Sequence, residues 1–499
     1  MEIEWLLDCK PRDVQKEAIL RSFYGFTSRD NKTQLPRPYQ IGDRKGPAKG
    51  WGHFLEMRLG KTPTVLNEYL LLQKYHDINK IIVLSPNSYK SAWVKEATHF
   101  GIITPFMAYE SSQRKAAKEF LDENKDEFGL VVNYEALRSK DTMDLLMSVI
   151  GRDVLLVADE SIKLKNPRSI TSKRAMELSK EVEYVRELTG CPMTQGPHDM
   201  FSQLKFIKQL EGGNFWAFRN RFCKMGGWKN KQIVGAKNEE QLNSIINSSG
   251  FVAKRKDWAN PTNPEYYTVE IPLDKVQAEH YANIDRDFLT MVDNDVEVSV
   301  DQVISKMLKL QQVSSGFVYN GEEVIDLIEP QKTPKMLRLK ELMEDEIADK
   351  VIVAFHYKRS GDALMEALAE YNPAVIRSKD WMKANDLNVD DEKKRFNTDP
   401  KCRVMLLNIS AGKYGHDLSG IKGDRCTTMV FYENTFSLDD RIQIEMRNTT
   451  AFQDWSNVYL DFVASPVEMN SIKALEKKEN VVTAILGAYN PDKSRSTRV

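Results

Sequence analysis

Short apolar runs recur along the chain, and each is followed by a polar turn and a helical pattern. The runs are Lys80–Ser85, Leu130–Tyr134, Val154–Glu160, Val351–Phe355, Val404–Asn408, Thr428–Glu433 and Val458–Val463. Strands that are apolar along their whole length and alternate with helices are typical of parallel sheets covered on both faces. Because the runs form two groups, near 50–190 and 350–465, the sequence predicts an α/β protein with two parallel-sheet lobes.

The stretch between the two groups has a different pattern. Residues 200–330 carry helical periodicity, clearest in Phe201–Leu210 and Asp301–Gln312. Proline-containing segments at Asn260–Pro264 and Glu329–Pro334 indicate junctions. We therefore predict an N-terminal lobe over 1–262, a helical insertion and linker over 263–332, a C-terminal lobe over 333–485 and a polar tail over 486–499.

Composition narrows the class of protein. The five cysteines are scattered, which argues against a disulfide framework and a structural zinc site. No run approaches the roughly 20 apolar residues that a membrane-spanning helix needs, and the N-terminus lacks the basic start of a secretory signal. A net charge of −1 does not by itself indicate a nucleic-acid-binding protein, but nucleic-acid binding needs only a local basic face. We expect a cytoplasmic protein that is not secreted and has no membrane partner.

A phosphate-binding loop is predicted at Leu59-Gly60-Lys61-Thr62. Such a loop needs a tight turn whose amides face the phosphates, a lysine for the β- and γ-phosphate charge and a hydroxyl for Mg²⁺. A helix that starts near Lys61 would add its dipole. Chance also produces Gly-Lys-Thr turns, and the leading glycine of the full Walker A pattern is absent, so this motif needs a companion.

The companion is the apolar run that ends in Asp159-Glu160, which is the Walker B arrangement. There, Asp159 is predicted to hold Mg²⁺, together with Thr62, and Glu160 to polarise the attacking water. Two carboxylates at a strand end are common as solvated groups. One phosphate loop followed in order by one acidic strand end is much less common, and it predicts a P-loop ATPase.

Further blocks follow in order. They are Leu84-Ser85-Pro86 with Trp93 and Glu96, Asn133–Leu137, Asp159–Asn166, Leu188–Pro192 with Gln195, Lys335–Leu342, Lys394–Asn397, Ser410–Gly412 with Gly415 and Leu418, and Gln443 with Arg447. In order and spacing they resemble motifs Ia to VI of the SWI/SNF-like ATPases of helicase superfamily two, from about residue 10 to 465. The chain is similar to the small stand-alone bacterial and viral members.

The resemblance implies two RecA-like lobes that bind ATP and Mg²⁺ in the cleft between them. It also implies DNA-stimulated ATP hydrolysis by a monomer that moves along duplex DNA or remodels nucleoprotein, in a bacterial cytoplasm or a virus-infected cell. Because no bromo-, chromo- or zinc-finger module is evident, targeting would come from the chain's own insertions or from a protein partner. Two other functions stay open: a catalytically weak protein that binds nucleotide and DNA or a partner, and a strand-separating DNA or RNA helicase.

The resemblance also assigns roles to individual residues. The catalytic residues are Lys61, Asp159, Glu160 and Arg447. The nucleotide-binding residues are Arg12, Gln15, Arg58, Leu59, Gly60, Lys61, Thr62, Gly412 and Gln443. The nucleic-acid residues are Ser85, Trp93, Tyr134, Tyr357 and Ser410. Gln15 is preferred to Gln40 as the adenine reader because an amphipathic stretch follows it. The basic aromatic passage Trp216–Lys237 is a further candidate duplex contact, or else a solvated loop.

Two positions depart from the family pattern. Arg58 stands where relatives carry a glycine, so its side chain must point out of the loop or contact nucleotide itself. Thr450 replaces the second of two arginines three residues apart, of which Arg447 matches the first. The second arginine is usually counted as the finger that stabilises the transition state, and its loss costs about 10³-fold or more in rate. Either Arg447 or Arg441 substitutes for it, or hydrolysis is slow.

Overall fold

The computed structural model describes residues 3–24, 26–27, 37–38, 46–210, 213–226, 232–258, 263–293, 300–412, 417–421, 423–450, 453, 455–485 and 496–498. The chain divides into two compact units. Unit 1 comprises Met1–Asn260 and Lys478–Tyr489, and unit 2 comprises Pro261–Lys477 and Asn490–Val499. No helix in these ranges is both long and apolar enough to cross a membrane.

Unit 1 is built on a parallel sheet. Its strands are β1 (Gly50–Leu55), β2 (Lys80–Ser85), β3 (Phe106–Ala108), β4 (Phe128–Asn133), β5 (Val154–Asp159), β6 (Tyr184–Leu188) and β7 (Gly250–Ala253). They lie in the order β7-β1-β6-β5-β2-β4-β3 and all pair in parallel. The central strands are buried along nearly their whole length, which explains their continuous apolar character.

Helices cover this sheet. They are α1 (Asp13–Ile19), α2 (Lys61–His76), α3 (Lys90–His99), α4 (Arg114–Glu123), α5 (Lys140–Val149), α6 (Ile170–Glu181), α7 (Met200–Phe206), α8 (Phe215–Phe222) and α9 (Glu239–Ser249), with a short turn at Arg255–Trp258. Ser139 and Ser169 cap α5 and α6 through their side chains, as expected for helix starts that follow a strand and a polar turn. Small hairpins pair Phe26–Thr27 with Arg37–Pro38 and Cys223–Gly226 with Gln232–Ala236.

Unit 2 has its own parallel sheet. The strands of unit 2 are β8 (Glu265–Glu270), β9 (Phe317–Asn320), β10 (Glu323–Asp326), β11 (Lys350–Phe355), β12 (Ala374–Ile376), β13 (Val404–Asn408), β14 (Asp424–Phe431), β15 (Val458–Val463) and β16 (Ser496–Arg498). The sheet order is β12-β13-β11-β14-β15-β8-β16, while β9 and β10 form a separate hairpin and Gly420–Ile421 pairs beside β14. The α/β prediction with two parallel-sheet lobes is confirmed.

The helices of unit 2 follow the same alternation. They are α10 (Lys275–Asp293), α11 (Val300–Ser314), α12 (Pro334–Glu341), α13 (Lys358–Ala367), α14 (Lys379–Ala384), α15 (Val389–Thr398), a short turn at Ile409–Gly412, α16 (Leu438–Glu445) and α17 (Pro466–Ile485), of which the residues up to Lys477 belong to this unit.

Two predicted parts differ in detail from the structure. Residues 263–332 contain the helices α10 and α11, but they begin with β8, which pairs with β15 inside the sheet of unit 2. The polar segment 486–499 contributes β16, which pairs with β8. Proline-flanked and polar sequence obscured both strands, because a strand at or near a sheet edge need not be apolar throughout.

Candidate nucleotide site

The loop between β1 and α2 forms a tight turn at the carboxyl end of the sheet. Gly60 has a φ of 86°, in the left-handed region, and α2 begins immediately after it at Lys61. The Lys61 ammonium donates to the carbonyl of Leu55, 3.3 Å away, and the Thr64 hydroxyl donates to the carbonyl of Gly60 at 2.8 Å. The loop therefore presents the N-terminus of a 16-residue helix, where backbone N–H groups favour an anion.

Arg58 adopts a left-handed backbone with a φ of 70°. For a residue with a Cβ this conformation costs about 1 kcal/mol or more. The turn that relatives make with glycine is thus kept here at a conformational cost. The carbonyl of Arg58 accepts a hydrogen bond of 2.6 Å from the Arg12 guanidinium, which holds the turn from outside.

Arg12 and Gln15, predicted to bind nucleotide, both lie against this loop. Gln15 accepts from the backbone N–H of Arg12 at 2.7 Å and donates from Nε2 to the carbonyl of Gly60 at 3.2 Å. The side chain is buried, and a Cβ added at Gly60 would collide with it. Gln15 therefore fastens α1 to the phosphate loop, and the requirement for glycine at position 60 has a second cause besides φ. The rival residue, Gln40, lies outside the described residues.

The acidic end of β5 carries Asp159 and Glu160. Glu160 is left-handed, with a φ of 52° and a ψ of 54°, so the chain turns sharply after the strand. One carboxylate oxygen of Glu160 lies 3.8 Å from the Lys61 ammonium. The Asp159 carboxylate accepts from the indole N–H of Trp93 at 2.8 Å. Burial raises the pKa of Asp159, while the Trp93 hydrogen bond and the Lys61 charge act in the opposite direction.

Helix α3 supports both predicted Mg²⁺ ligands. Trp93 bonds to Asp159, and the carboxyl of Glu96, one turn later, lies near enough to Thr62 for that residue to lower its pKa. Positions i and i+3 share one face of a helix, which explains how a single helix reaches both residues. Burial raises the pKa of Glu96, and Thr62 partly opposes that rise. The W-x-x-E spacing of the sequence thus places two positioning groups beside the phosphate loop and the acidic strand end.

Three of the residues predicted to contact nucleic acid lie at the carboxyl end of the sheet of unit 1 or close to it. The side chains of Trp93, Tyr134 and Ser85 are buried. Trp93 contacts Asp159, and the Tyr134 hydroxyl donates to the carbonyl of Asp159 at 2.7 Å. Trp93 and Tyr134 therefore help to fix the position of the acidic strand end, and their contact with nucleic acid stays a prediction.

Unit 2 gives a mixed outcome for the same prediction. The Tyr357 side chain is buried, and its hydroxyl bonds to Gln311 at 2.9 Å, within α11. Ser410 is exposed in the short turn Ile409–Gly412. Of the five residues predicted to contact nucleic acid, Ser410 alone has a side chain open to solvent in the structure.

A buried charged cluster escaped the sequence interpretation. His53 on β1, Glu68 on α2 and Arg186 on β6 are buried, with 2.9 Å between His53 Nε2 and Glu68 Oε2 and 2.7 Å between Arg186 Nη2 and Glu68 Oε1. Burial acts to raise the pKa of Glu68, but Arg186 and His53 outweigh it and hold that pKa well below its usual range. The cluster ties the helix of the phosphate loop to two strands of the sheet. A single glutamate at a helical position gave no signal of this.

Next to that cluster, Glu187 has the opposite character. Burial raises the pKa of its carboxyl to about 8. Burial therefore favours the neutral form of this carboxyl. In register, Glu187 pairs with Ala158, one residue before the acidic end of β5.

In unit 2, the predicted residue Gln443 lies in the last turn of α16, and Arg447 lies in the short 3-10 turn Met446–Asn448 that follows it. Arg447 donates from Nε to the carbonyl of Gln443 at 2.7 Å, and the carbonyl of Arg447 accepts from the N–H of Leu418 at 2.8 Å. Gly412 is buried, and a Cβ there would collide with the Leu407 side chain. The structure thus connects the segment after β13 to the segment after α16 through backbone.

Arg441 is not available as a substitute arginine finger. It is fully buried and pairs with Asp461 and, at 2.6 Å from Nε, with Glu445. Its guanidinium carbon lies 3.4 Å from the centroid of the Phe431 ring. The guanidinium is therefore committed to the interior of unit 2. Arg447 is also buried, and its Nε donates to the carbonyl of Gln443.

Comparisons with known proteins agree with the motif order. The chain is 23% identical to "Putative protein p41" of Acyrthosiphon pisum secondary endosymbiont phage 1, over 83% of this chain and 88% of that protein. It is 28% identical to a Caenorhabditis elegans homolog of "SWI/SNF-related matrix-associated actin-dependent regulator of chromatin subfamily A-like protein 1", over 38% of this chain but only 26% of the worm protein. The chain therefore spans most of the phage relative and about a quarter of the worm relative.

Among solved structures, the "Sulfolobus solfataricus SWI2/SNF2 ATPase core in complex with dsDNA" matches with a TM-score of 0.38 and 19% identity, covering 88% of each chain. Residues 49–316 match the SNF2-related domain, and this match covers more than half of the 499 residues. It begins one residue before β1 and includes the phosphate loop and the acidic end of β5. The protein therefore belongs to the family defined by the SNF2-related domain.

Proposed function

We propose that this protein is a DNA-dependent ATPase that uses ATP hydrolysis to move along duplex DNA or to remodel nucleoprotein. Members of the family are DNA-dependent ATPases. The observation that carries the proposal is the meeting of the phosphate loop with the acidic strand end in unit 1, where Lys61 lies 3.8 Å from Glu160.

The donor set of unit 1 fits ATP with Mg²⁺. The loop offers the start of α2 and the Lys61 ammonium for phosphate charge. Thr62 and Asp159 offer a hydroxyl and a carboxylate, and Mg²⁺ is commonly held by one or two protein oxygens together with substrate phosphates. When bound, Mg²⁺ neutralises charge on the β- and γ-phosphates. Thr62 and Asp159 would hold it, and Glu96 and Trp93 would position these two ligands.

Glu160 is the proposed catalytic base. Its left-handed backbone turns the side chain away from the line of β5 and towards Lys61. In the reaction, water oxygen bonds to the γ-phosphorus, the bond from that phosphorus to the β-bridging oxygen breaks, and ADP and phosphate leave. Glu160 would orient the water and accept its proton. We assign Arg447 the stabilisation of transition-state charge, and Gly412 and Gln443 support for its segment.

The deciding experiment measures steady-state ATP hydrolysis without nucleic acid and with single-stranded, duplex and branched DNA. We expect stimulation by duplex or branched DNA, and loss of activity in Lys61→Ala, because the β- and γ-phosphates lose their cation. Absence of stimulation by every nucleic acid would contradict the proposal. A strand-displacement assay on DNA and RNA duplexes separates translocation, which leaves strands paired, from unwinding.

A second candidate function rests on the Arg58 backbone and on Thr450. A phosphate loop with a left-handed arginine and a segment lacking the second arginine suit a protein that binds nucleotide and DNA with little turnover. This candidate predicts stoichiometric nucleotide binding with a hydrolysis rate indistinguishable from that of Lys61→Ala. Hydrolysis at an ordinary rate of about 1 s⁻¹ or more would exclude it.

Trp93→Phe tests the positioning role of α3. The change keeps an aromatic ring but removes the N–H that donates to Asp159 at 2.8 Å. Because partners of metal ligands typically contribute 10- to 100-fold to metal affinity, we expect Mg²⁺-dependent nucleotide binding to weaken by about tenfold or more. Nucleotide binding in EDTA is expected to stay unchanged. Titration of a fluorescent ATP analogue with and without Mg²⁺ measures both.

Trp5→Phe is the matched control for this change. Trp5 packs against the same core cluster as Trp93, but its indole N–H has no hydrogen-bond partner among the described residues. Its replacement should leave Mg²⁺-dependent binding intact. Equal behaviour of the two variants, or equal loss of binding with and without Mg²⁺ in Trp93→Phe, would show that Trp93 serves packing alone.

A further inference from the structure

In unit 1, two arginine side chains lie over the ring of one exposed tryptophan. Trp216, in the first turn of α8, is 45% exposed, which is unusual for so large an apolar side chain. The guanidinium carbon of Arg168 lies 4.8 Å from its ring centroid, and that of Arg219 lies 4.4 Å away. Arg168 comes from the loop between β5 and α6, so residues 48 positions apart in sequence meet at one indole.

Neither guanidinium is neutralised by a carboxylate among the residues that the structure describes. Elsewhere in the chain, buried or half-buried arginines such as Arg186 and Arg395 pair directly with glutamates. Arg168 and Arg219 make no ion pair within the described ranges, although the chain as a whole has slightly more acidic than basic residues. Cations held this way by an aromatic face keep their N–H edges available for an anion.

The surroundings add positive charge. Lys165 bonds to the Thr194 hydroxyl, and Arg221 bonds to the Gln241 side-chain oxygen. Lys205 lies 5.7 Å from the Phe201 ring centroid. Within the described ranges, none of these three cations forms an ion pair with a carboxylate. The nearby acid Asp199 is buried and accepts two backbone N–H groups. Burial lowers the pKa of His198, Asp199 opposes this, and Lys165 and Arg219 lower it further.

The arrangement is fixed before any ligand arrives. The side chain of Asn214 accepts from the backbone N–H of Trp216 at 2.8 Å, which caps α8. The Asn166 side chain accepts from the N–H of Arg168 at 3.0 Å. The Trp216 ring also packs edge-on against Phe215, with 5.4 Å between centroids. Fixing the two arginines in this way reduces the entropy that phosphate binding would otherwise cost.

We propose that Arg168, Trp216 and Arg219 form a binding site for backbone phosphates of duplex DNA, which we name the Trp216 site. This inference rests on the proposed function and adds a contact outside the ATPase motifs. Arginine forks bind phosphate in a bidentate manner. Arg168 follows the carboxyl end of β5, the end of the sheet where ligands of open α/β folds bind. The site positions DNA without reading its sequence.

The test measures binding of a labelled short blunt duplex by fluorescence polarisation over a range of salt concentrations. For Arg168→Ala/Arg219→Ala, we expect affinity to fall about tenfold or more at low salt. The slope of log affinity against log salt should fall by about 2, one for each phosphate that the variant no longer neutralises. Trp216→Ala should weaken binding by about threefold, whereas Trp216→Phe retains most of it.

The matched control is Arg152→Ala. Arg152 is also exposed in unit 1 but lies before β5, at the amino end of the strand, and should change neither affinity nor slope. If wild type binds duplex and the double variant binds with the same affinity and slope, the Trp216 site is rejected while the proposed function stands. If the double variant loses affinity for single-stranded DNA or for an acidic peptide but not for the duplex, the assignment of the site to duplex DNA is overturned. If wild type binds no DNA and shows no DNA-stimulated hydrolysis, the proposed function fails as well.

Discussion

Glu160→Gln is expected to lower the rate of DNA-stimulated ATP hydrolysis by about 10²- to 10⁴-fold, the range that general acid–base catalysis supplies. The amide has the size of the carboxylate but cannot accept the proton of the attacking water. Lys61, 3.8 Å away, keeps its bond to the Leu55 carbonyl in the variant. Nucleotide affinity should therefore change by less than about threefold, because the phosphate loop itself is untouched.

Pre-steady-state and steady-state phosphate release measure the rate, and titration with a fluorescent nucleotide measures binding. The matched control is Glu135→Gln, which alters an exposed carboxylate just after β4 that accepts a 3.2 Å hydrogen bond from the Asn133 amide. That variant should retain near wild-type hydrolysis. If Glu160→Gln hydrolysed ATP at the wild-type rate, the base would have to be another group, and the assignment of the acidic strand end would be wrong.

Features that depend on residues close together in the sequence could be predicted, whereas features that depend on contacts between distant segments could not. The central strands of both sheets could be predicted because burial on two faces demands continuous apolar sequence, as in Val154–Asp159. Lys61 and Asp159 could be predicted because Lys61 follows β1 within a few residues and Asp159 is the last residue of β5. The local sequence pattern was enough to predict the strands and these two residues, and the order of the motifs indicated the family.

Interactions between distant segments could not be predicted from the sequence in this way. Trp93 stands at a motif position that suggests DNA, yet its N–H bonds to a carboxylate 66 residues away. Nothing local distinguishes an indole that faces solvent from one that faces a strand end. Strand β8 was missed for a related reason: its neighbour β15 lies almost 200 residues further along the chain, and its own sequence mixes tyrosines with glutamates.

The two departures from the family pattern have different physical consequences. Arg58 retains the turn at a conformational cost, since its φ of 70° reproduces what glycine adopts freely. Thr450 has no such compensation nearby: its backbone N–H bonds to Gln453, while the arginine six residues before Arg447 is committed to the interior of unit 2. Arg441 is therefore held by carboxylates inside unit 2, and the catalytic role of Arg447 stays a prediction.

Arg441→Met is expected to destabilise unit 2 by about 3–5 kcal/mol, because Asp461 and Glu445 would remain buried without their cation. In a unit of this size, that corresponds to a fall of about 10 °C in its unfolding temperature. Differential scanning calorimetry measures the fall. The control is Arg338→Met, which removes a partly exposed arginine paired with Glu341 and Glu346 and should cost no more than about 1 kcal/mol.

A compensating variant separates charge from shape at this position. Arg441→Met combined with Asp461→Leu and Glu445→Gln removes the orphaned charges, and it should recover much of the stability because buried ion pairs are often replaceable by apolar groups. The competing hypothesis, in which Arg441 is an arginine finger, makes the opposite prediction. It requires Arg441→Met to unfold at the wild-type temperature and to hydrolyse ATP about 10³-fold more slowly. The buried contacts to Asp461, Glu445 and Phe431 favour the structural role of Arg441.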